Sequence, residues 1–331
     1  MTIINGVEID DVDYPINETA NTIQNNNPID QILHVIAVVS NPCQYATRYI
    51  LAKQFIKRME KTNNVKLYIV ELAYGDQKHR ITDSLNPQHL QLKTDTDQIV
   101  WHKENLINIG IKRLLPTDWQ AVAWIDADIE FENVSWALDT LKILNGYKDI
   151  VQLFSHAIDM DKQKYTMHIF TSFGHQYETR KKYIQGGSLD YWHPGFAWAC
   201  NRRAYEKMGG LYENSVVGSA DYNMALSLVG WGRKSLSEKY TKECIDDLLE
   251  FEQRAKNLRI GYTPGVIKHH YHGKKVNRKY RERWEIIARN KFDPKKHLSR
   301  NKDGLIIFSD ECPTEFKQDI IEYFKGRKED E

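Results

Sequence analysis

The sequence predicts an α/β fold built on a mostly parallel, doubly wound sheet. Three observations carry this. An apolar run, His34–Ser40, stops at Asn41-Pro42, helical spacing follows from Tyr45 to Met59, and a second apolar run covers Val65–Leu72, which is strand, helix, strand. Both strand runs are near-continuously apolar rather than alternating, as strands covered on both faces are. The 331 residues suffice for one large α/β domain or two small ones.

The elements follow in order. Residues 1–30 are acidic and Asn-rich, ending in Asn25-Asn26-Asn27-Pro28, and read as an arm with little structure of its own. In the first helix Tyr49, Ala52, Phe55, Ile56 and Met59 share a face. Gly75-Asp76 punctuates the second strand. Ile99-Val100-Trp101 reads as a short strand, and Lys103–Leu115 as a helix with Leu106, Ile107, Gly110 and Leu114 inward, stopped by Pro116. Val122–Phe131 is the next strand, Val134–Leu144 a helix and Asp149–Phe154 a strand. Residues 155–190, polar and aromatic with Gly186-Gly187, read as a long loop of the kind that covers a substrate. A buried strand resumes over Trp192–Cys200, then a short helix, Arg202–Met208, closed by Gly209-Gly210. Helices follow up to Val229 and over Thr241–Asn257, then a strand-like run, Ile260–Ile267, interrupted by Pro264-Gly265. A helix over Arg278–Lys291, a strand at Leu305–Phe308 and an amphipathic helix at Phe316–Phe324 complete the pattern. The expected organisation is an arm (1–31), one catalytic domain (32–302) and an extension (303–331).

The net charge is +1, so overall charge selects no polyanionic partner. Its distribution is uneven: residues 1–33 hold six acids and no Lys or Arg, whereas residues 268–300 hold twelve Lys or Arg and three acids. A basic stretch of that kind is either a solvated face or a place where an anionic substrate binds. The four cysteines are far apart, with no C-x-x-C pair, and suggest a reducing, cytoplasmic compartment. No signal-peptide pattern is visible, and no apolar run approaches the roughly 20 residues that span a bilayer. No G-x-G-x-x-G follows the first strand, so the dinucleotide fingerprint is missing.

The chemistry is concentrated in Val122-Ala123-Trp124-Ile125-Asp126-Ala127-Asp128-Ile129. Read as one strand, it sends Asp126 and Asp128 from the same face. Like charges that close repel unless a cation lies between them, and Mg²⁺ or Mn²⁺ takes carboxylate ligands while holding substrate phosphates. The competing reading is a strand followed by a polar turn.

The flanking blocks add to this. Trp101-His102-Lys103-Glu104-Asn105-Leu106-Ile107-Asn108-Ile109-Gly110, the Asp-x-Asp run, His193-Pro194-Gly195-Phe196, Gly209-Gly210-Leu211 and Gly218-Ser219-Ala220-Asp221 occur in that order. Together with His269-His270-Tyr271-His272-Gly273 and Arg278, the set resembles the catalytic domain of GT-A glycosyltransferases, most of all the β-1,4-galactosyltransferase type, over about residues 32–300. The resemblance implies a GT-A, Rossmann-like domain, a nucleotide-sugar donor and a divalent ion, Mn²⁺ or Mg²⁺. It implies metal ligation by Asp128, by Asp126 (or a ribose contact from it), and by a late histidine. His272 is the first choice because Gly273 permits close backbone approach, with His269 and His270 as reserves. Lys103 and Asn108 match the family's helix, which the resemblance places at the donor site; an ordinary surface lysine is the alternative for Lys103. Where that family carries a run of acids, this chain has one carboxylate, Asp221, which the resemblance makes the general base; a helix cap is its structural alternative.

Other assignments come from the residues themselves. Lys274, Lys275 and Arg278 are placed to neutralise diphosphate oxygens, or else form a solvated face. Asn41 and Glu71 end the first two strands, where ligands bind in a doubly wound sheet, although turn roles suit them equally. Trp192 and His193 are candidates for stacking on an acceptor sugar, and aromatic residues in a strand are also ordinary core. The predicted function is transfer of a sugar from a nucleotide sugar, a UDP-sugar, to an acceptor hydroxyl on a glycan, a protein or a nucleic-acid base. The rival enzyme class is a sugar-phosphate nucleotidyltransferase, which would want a Gly-rich loop where this chain has Ser40-Asn41-Pro42-Cys43. A non-catalytic carbohydrate-binding module is the rival outside enzymes.

Overall fold

The computed structural model describes residues 2–4, 7–9, 18–180, 192–280 and 282–331. Beyond a short antiparallel pair, Thr2–Ile4 with Val7–Ile9, the strands in chain order are β1 (Leu33–Ser40), β2 (Val65–Tyr74), β3 (His89–Thr94), β4 (Ala121–Ile125), β5 (Ile129–Phe131), β6 (Ile150–Gln152), β7 (His156–Met160), β8 (Thr166–Thr171), β9 (Ala197–Asn201), β10 (Ile260–Tyr262) and β11 (Val266–His269). A last pair, β12 (Leu298–Arg300) and β13 (Ile306–Phe308), is antiparallel.

The main sheet has the order β10-β6-β9-β4-β1-β2-β3. Within it β9 runs against the other six strands, which are mutually parallel. Helices cover both faces, so the fold is a mixed, mostly parallel α/β sheet. Side-chain alternation splits the core accordingly. Ile36, Val70, Val122, Trp124 and Cys200 pack on one face, and Val35, Ala37, Ala123, Ile125 and Ala199 on the other. This is why the strands read as unbroken apolar runs.

A second sheet, β8-β7-β11-β5, is fed from the first. Three times the chain leaves a main-sheet strand and enters the small sheet within a few residues: β4 to β5 through Asp126–Asp128, β6 to β7 through Leu153–Ser155, and β10 to β11 through Thr263–Gly265. The Pro264-Gly265 interruption is thus a crossing point between sheets. Gly265 has φ 144°, and its carbonyl accepts from the Ser155 hydroxyl at 2.8 Å.

Several sequence readings are corrected. Residues 18–30 are not a structureless arm: Glu18–Asn25 is a helix, and the Asn26 amide donates to the carbonyls of Lys142 (2.9 Å) and Asn145 (2.8 Å). Ile99-Val100-Trp101 joins no sheet; Trp101 N–H donates instead to the Val216 carbonyl at 2.8 Å. The strand in that region is β3, whose Leu90 and Leu92 alternate with polar residues as an edge strand does. Much of 155–180 is not a loop but the β7–β8 hairpin, while the Gly186-Gly187 expectation lies outside the described residues. Among the described residues no helix is long and apolar enough to cross a membrane.

The Lys103–Leu114 helix lies on the sheet through Gly110, where a Cβ would stand 2.8 Å from Val70 Cγ2 and 3.2 Å from Ile36 Cγ2. Gly110→Ala is expected to destabilise the protein by about 1–3 kcal/mol through overpacking, measured by denaturant unfolding. An unchanged midpoint would mean that the helix is free to lift.

Candidate functional site

A cavity of about 210 Å³ opens where β1 and β4 end, the edge of a doubly wound sheet at which ligands bind. Its wall includes Ser40, the turn Asp126–Asp128, the start of the Lys103 helix, His269 at the end of β11 and His272 after it. The two aspartates do face one space, but not as neighbours on a strand. β4 stops at Ile125 and β5 begins at Ile129, so both aspartates sit on the turn between two sheets.

Asp128 meets two imidazoles. One donor atom each from Asp128, His269 and His272 lie within 4.8 Å of one another. His272 Nε2 is 3.0 Å from Asp128 Oδ2, His269 Nε2 is 3.7 Å from the same oxygen, and the two Nε2 atoms are 3.2 Å apart. Asp159 stands behind His269, with Oδ1 2.7 Å from Nδ1. The two are register partners on the parallel strands β7 and β11, so their side chains leave the same face. A carboxylate accepts only, so Nδ1 carries a proton and Nε2 points toward Asp128 and His272; a metal ion there would take the Nε2 lone pair in place of the second proton that the two carboxylates favour. Burial alone would lower His269, but Asp128 and Asp159 outweigh it and hold it up at about 9. Burial likewise acts to raise Asp128, and the two histidines overcome it and keep that carboxyl well below its usual range. Asp128 Oδ1 is buried without a hydrogen-bond partner. Two imidazole nitrogens and a carboxylate with a free oxygen form an O/N/N donor set that fits Mn²⁺.

Asp126 and His270 are not brought into this cluster. Lys103 Nζ grips Asp126 Oδ1 at 2.6 Å. A lysine in the first turn of a helix opposes the helix dipole, and Asp126 offsets that placement. The desolvated surroundings raise Asp126, with Lys103 pulling back and Asp128 adding repulsion. His270 follows the two-residue alternation of β11 to the opposite side, where Nε2 meets Glu130 Oε2 at 2.9 Å.

Asp221 also lines the cavity. It lies in the first turn of the Ala220–Leu228 helix but is not its N-cap, which is Ser219. Asp221 Oδ1 accepts from the Tyr222 N–H at 2.9 Å. Gly195 presses against it: a Cβ at Gly195 would stand 2.2 Å from Asp221 Oδ2. Phe196 (φ 76°) and Ser219 (φ 77°) both hold left-handed backbone and both line the cavity. Such strain in residues other than glycine gathers at functional sites. His193 lies flat on Phe196, with centroids 3.7 Å apart, and burial drives it down to about 3, so it is neutral.

Cationic side chains complete the wall: Lys103, Arg48, Arg278, Arg283 and Arg327. Arg278 Nη2 approaches His272 Nε2 at 2.8 Å, and Nη1 donates to the Tyr280 hydroxyl at 3.0 Å.

Other predicted residues are placed elsewhere. The Asn41 side chain closes its own turn, donating to the Tyr45 carbonyl (2.8 Å) and accepting from Tyr45 N–H (3.0 Å). Glu71 is saturated by the N–H groups of Arg80, Ile81 and Thr82 and the Thr82 hydroxyl. Asn108 clamps the glycine turn, bonding both N–H and carbonyl of Leu211 at 2.9 Å. Lys275 Nζ pairs with Asp159 Oδ2 at 2.5 Å, Lys274 is exposed, and neither borders the cavity. Trp192 is buried against Phe173 and Tyr222 as core. Gly273 serves a close approach, but to the Glu329 backbone: its Cβ would stand 2.8 Å from Glu329 Cα.

Sequence reasoning missed Asp159, Glu104, Arg48, Arg283, Arg327 and Glu329. Arg283 had only the general basicity of residues 268–300 as a signal, and Glu104 had one of its own, a carboxyl next to Lys103 at the start of the helix. It is 3 % exposed and borders the cavity. Burial pushes its carboxyl up to about 8, with Lys103 pulling partly back. In the unfolded chain glutamate titrates at about 4.3. The folded state therefore holds the proton more tightly. Stability from this group is full below the unfolded pKa and is lost as pH rises to about 8. Glu104→Gln is expected to stabilise the protein at pH 8 by on the order of 2–4 kcal/mol and to change nothing at pH 4. Thermal melts at the two pH values check this, and coincident melting at pH 8 would refute it.

No protein-family model matches the chain, and no curated protein matches it. Among solved structures, it is similar to the mannosyltransferase PcManGT from Pyrobaculum calidifontis in complex with GDP-Man and Mn²⁺, at 11% identity over 92% of this chain and 74% of that one, with a TM-score of 0.41. It is also similar to a mutant of Drosophila β-1,4-galactosyltransferase 7 in complex with manganese, UDP-Gal and xylobiose, at 11% identity over 87% of this chain and 99% of that one, with a TM-score of 0.38. Likenesses this distant carry no argument about activity, which rests on the residues of the cavity.

Proposed function

We propose that this chain is a metal-dependent glycosyltransferase of the GT-A fold, moving a sugar from a nucleotide sugar, a UDP-sugar, to an acceptor hydroxyl. The observation that carries the reading is the Asp128, His269, His272 cluster, set beside a wall of guanidinium groups with Asp221 lining the same cavity. These three residues would hold Mn²⁺ or Mg²⁺, the two nitrogens favouring Mn²⁺. When bound, the ion supplies Lewis-acid neutralisation of a leaving diphosphate.

The chain's own groups do the rest. Arg278 and its cationic neighbours bind phosphate oxygens. Lys103, paired with Asp126, fixes that turn and adds positive charge. Asp221 takes the proton of the acceptor hydroxyl as its oxygen bonds to the anomeric carbon, while the anomeric carbon–phosphate oxygen bond breaks and its electron pair leaves with the diphosphate. Neutral His193, stacked on Phe196, offers a flat face toward the acceptor, whether that acceptor is a glycan, a protein or a nucleic-acid base. The test is a panel of UDP-, GDP- and ADP-sugars incubated with Mn²⁺, scoring nucleoside diphosphate released without acceptor. At least one donor is expected to be hydrolysed and EDTA to stop it. Hydrolysis of none, or hydrolysis indifferent to EDTA, would sink the proposal.

A further inference from the structure

The last element to reach the cavity is the segment that follows the Thr314–Lys325 helix. It is fastened by side chains of its own and of the first turn after β1. The Tyr45 hydroxyl donates to the carbonyls of Phe324 (3.1 Å) and Lys325 (3.0 Å) and accepts from Lys328 N–H (3.0 Å). Asp330 accepts from the N–H groups of Ala46 (3.0 Å) and Thr47 (2.9 Å) at the start of the Ala46–Met59 helix, where a helix dipole favours an anion.

Two side chains of this segment point inward. Glu329 is 1 % exposed and lies behind the cavity wall rather than in it. Arg48 grips it through Nε and through Nη2 (2.7 Å), and Arg327 Nε donates to its Oε1 at 2.6 Å. Arg327 does border the cavity, is 4 % exposed, and lies over the Trp101 ring at 5.0 Å. Its Nη1 is buried with no hydrogen-bond partner. An unpaired guanidinium N–H is costly to bury, and what satisfies it best is an anionic oxygen. The Asp128 cluster and Arg278 border the same cavity.

We propose that Arg327 binds the diphosphate of the donor and that Glu329 is a positioning residue that aims it. The inference rests on the nucleotide-sugar reading of the cavity. Glu329 fixes the Nε edge of Arg327 and leaves Nη1 for the ligand. It also lies between two guanidinium groups that would otherwise repel each other. Removing this acid therefore weakens anion binding, the reverse of what net charge alone dictates. Were Glu329 instead a stand-in for phosphate that blocks the site, its removal would tighten binding.

The test is calorimetric titration of the full chain with inorganic pyrophosphate in the presence of Mn²⁺, and with Mn²⁺ alone, below the melting temperature of each variant. Arg327→Met is expected to weaken pyrophosphate binding about tenfold or more. Its affinity for Mn²⁺ alone is expected to stay within about twofold. Arg327→Lys recovers only part, because a point charge does not replace the fork. Glu329→Gln weakens pyrophosphate binding about fivefold or more, and Glu329→Asp recovers part of that loss. Wild-type affinity in Arg327→Met, or tighter binding in Glu329→Gln, overturns the inference while leaving the functional reading intact. Failure of the wild-type protein to bind pyrophosphate with Mn²⁺ overturns both.

Discussion

Asp128→Ala is expected to abolish saturable Mn²⁺ binding and, with it, all donor hydrolysis and transfer, in a protein that remains folded. The argument is one of donors. Three side chains converge within 4.8 Å, and Asp128 supplies both the charge of the set and its unpartnered oxygen. Without it two imidazoles remain and no anionic oxygen, a poor site for a hard divalent ion. The fold is spared because the ladder contact of this residue is made by backbone: the Asp128 carbonyl accepts from His270 N–H at 2.9 Å, whatever the side chain. Asp159→Asn is the graded counterpart. It keeps the shape beside His269 Nδ1 but loses the charge that orients the ring, and such partners are worth about 10–100-fold in metal affinity. Calorimetry with Mn²⁺ reads both variants. Retained Mn²⁺ affinity in Asp128→Ala would place the ion elsewhere and remove the basis for the assigned chemistry.

How much of this was legible in the sequence depended on distance along the chain. The strand–helix–strand opening and the glycine-capped Arg202–Met208 helix were readable because apolar period and turn residues are local properties. The crossing from one sheet to another was not. Asp126-Ala127-Asp128 looks like a strand, and only the partner strands reveal that β4 and β5 belong to different sheets. The same holds for the histidines. Sequence placed three within four positions, and β11 chooses among them, turning His269 toward Asp128 and His270 toward Glu130. Asp159 carries no local signal at all, since its value is its register opposite His269, 110 residues away. Asn41 and Glu71 illustrate the converse. Asn41 follows β1 and Glu71 lies inside β2, and each is consumed by nearby backbone N–H or carbonyl groups. Such turn chemistry competes with ligand binding at the same residue types.

The second large effect is expected at a residue with no functional group. Gly195 carries no side chain because Asp221 fills the space where one would go: a Cβ would stand 2.2 Å from Oδ2 and 3.3 Å from Cγ. The obstructing atom is the end of a side chain, so Gly195→Ala is relieved by swinging the carboxylate away rather than by displacing the backbone ahead of β9. The variant thereby moves the proposed base without altering its chemistry. General-base catalysis contributes about 10²–10⁴-fold. Gly195→Ala and Asp221→Asn are each expected to lower kcat by at least about 100-fold while pyrophosphate binding with Mn²⁺ stays within about twofold. Because both act on one group, the double variant should lose no more than Asp221→Asn alone. Losses that multiply in the double variant would mean that Gly195 serves some other end. Full turnover in Gly195→Ala would mean that the position of this carboxylate is immaterial and that the proton leaves by another route.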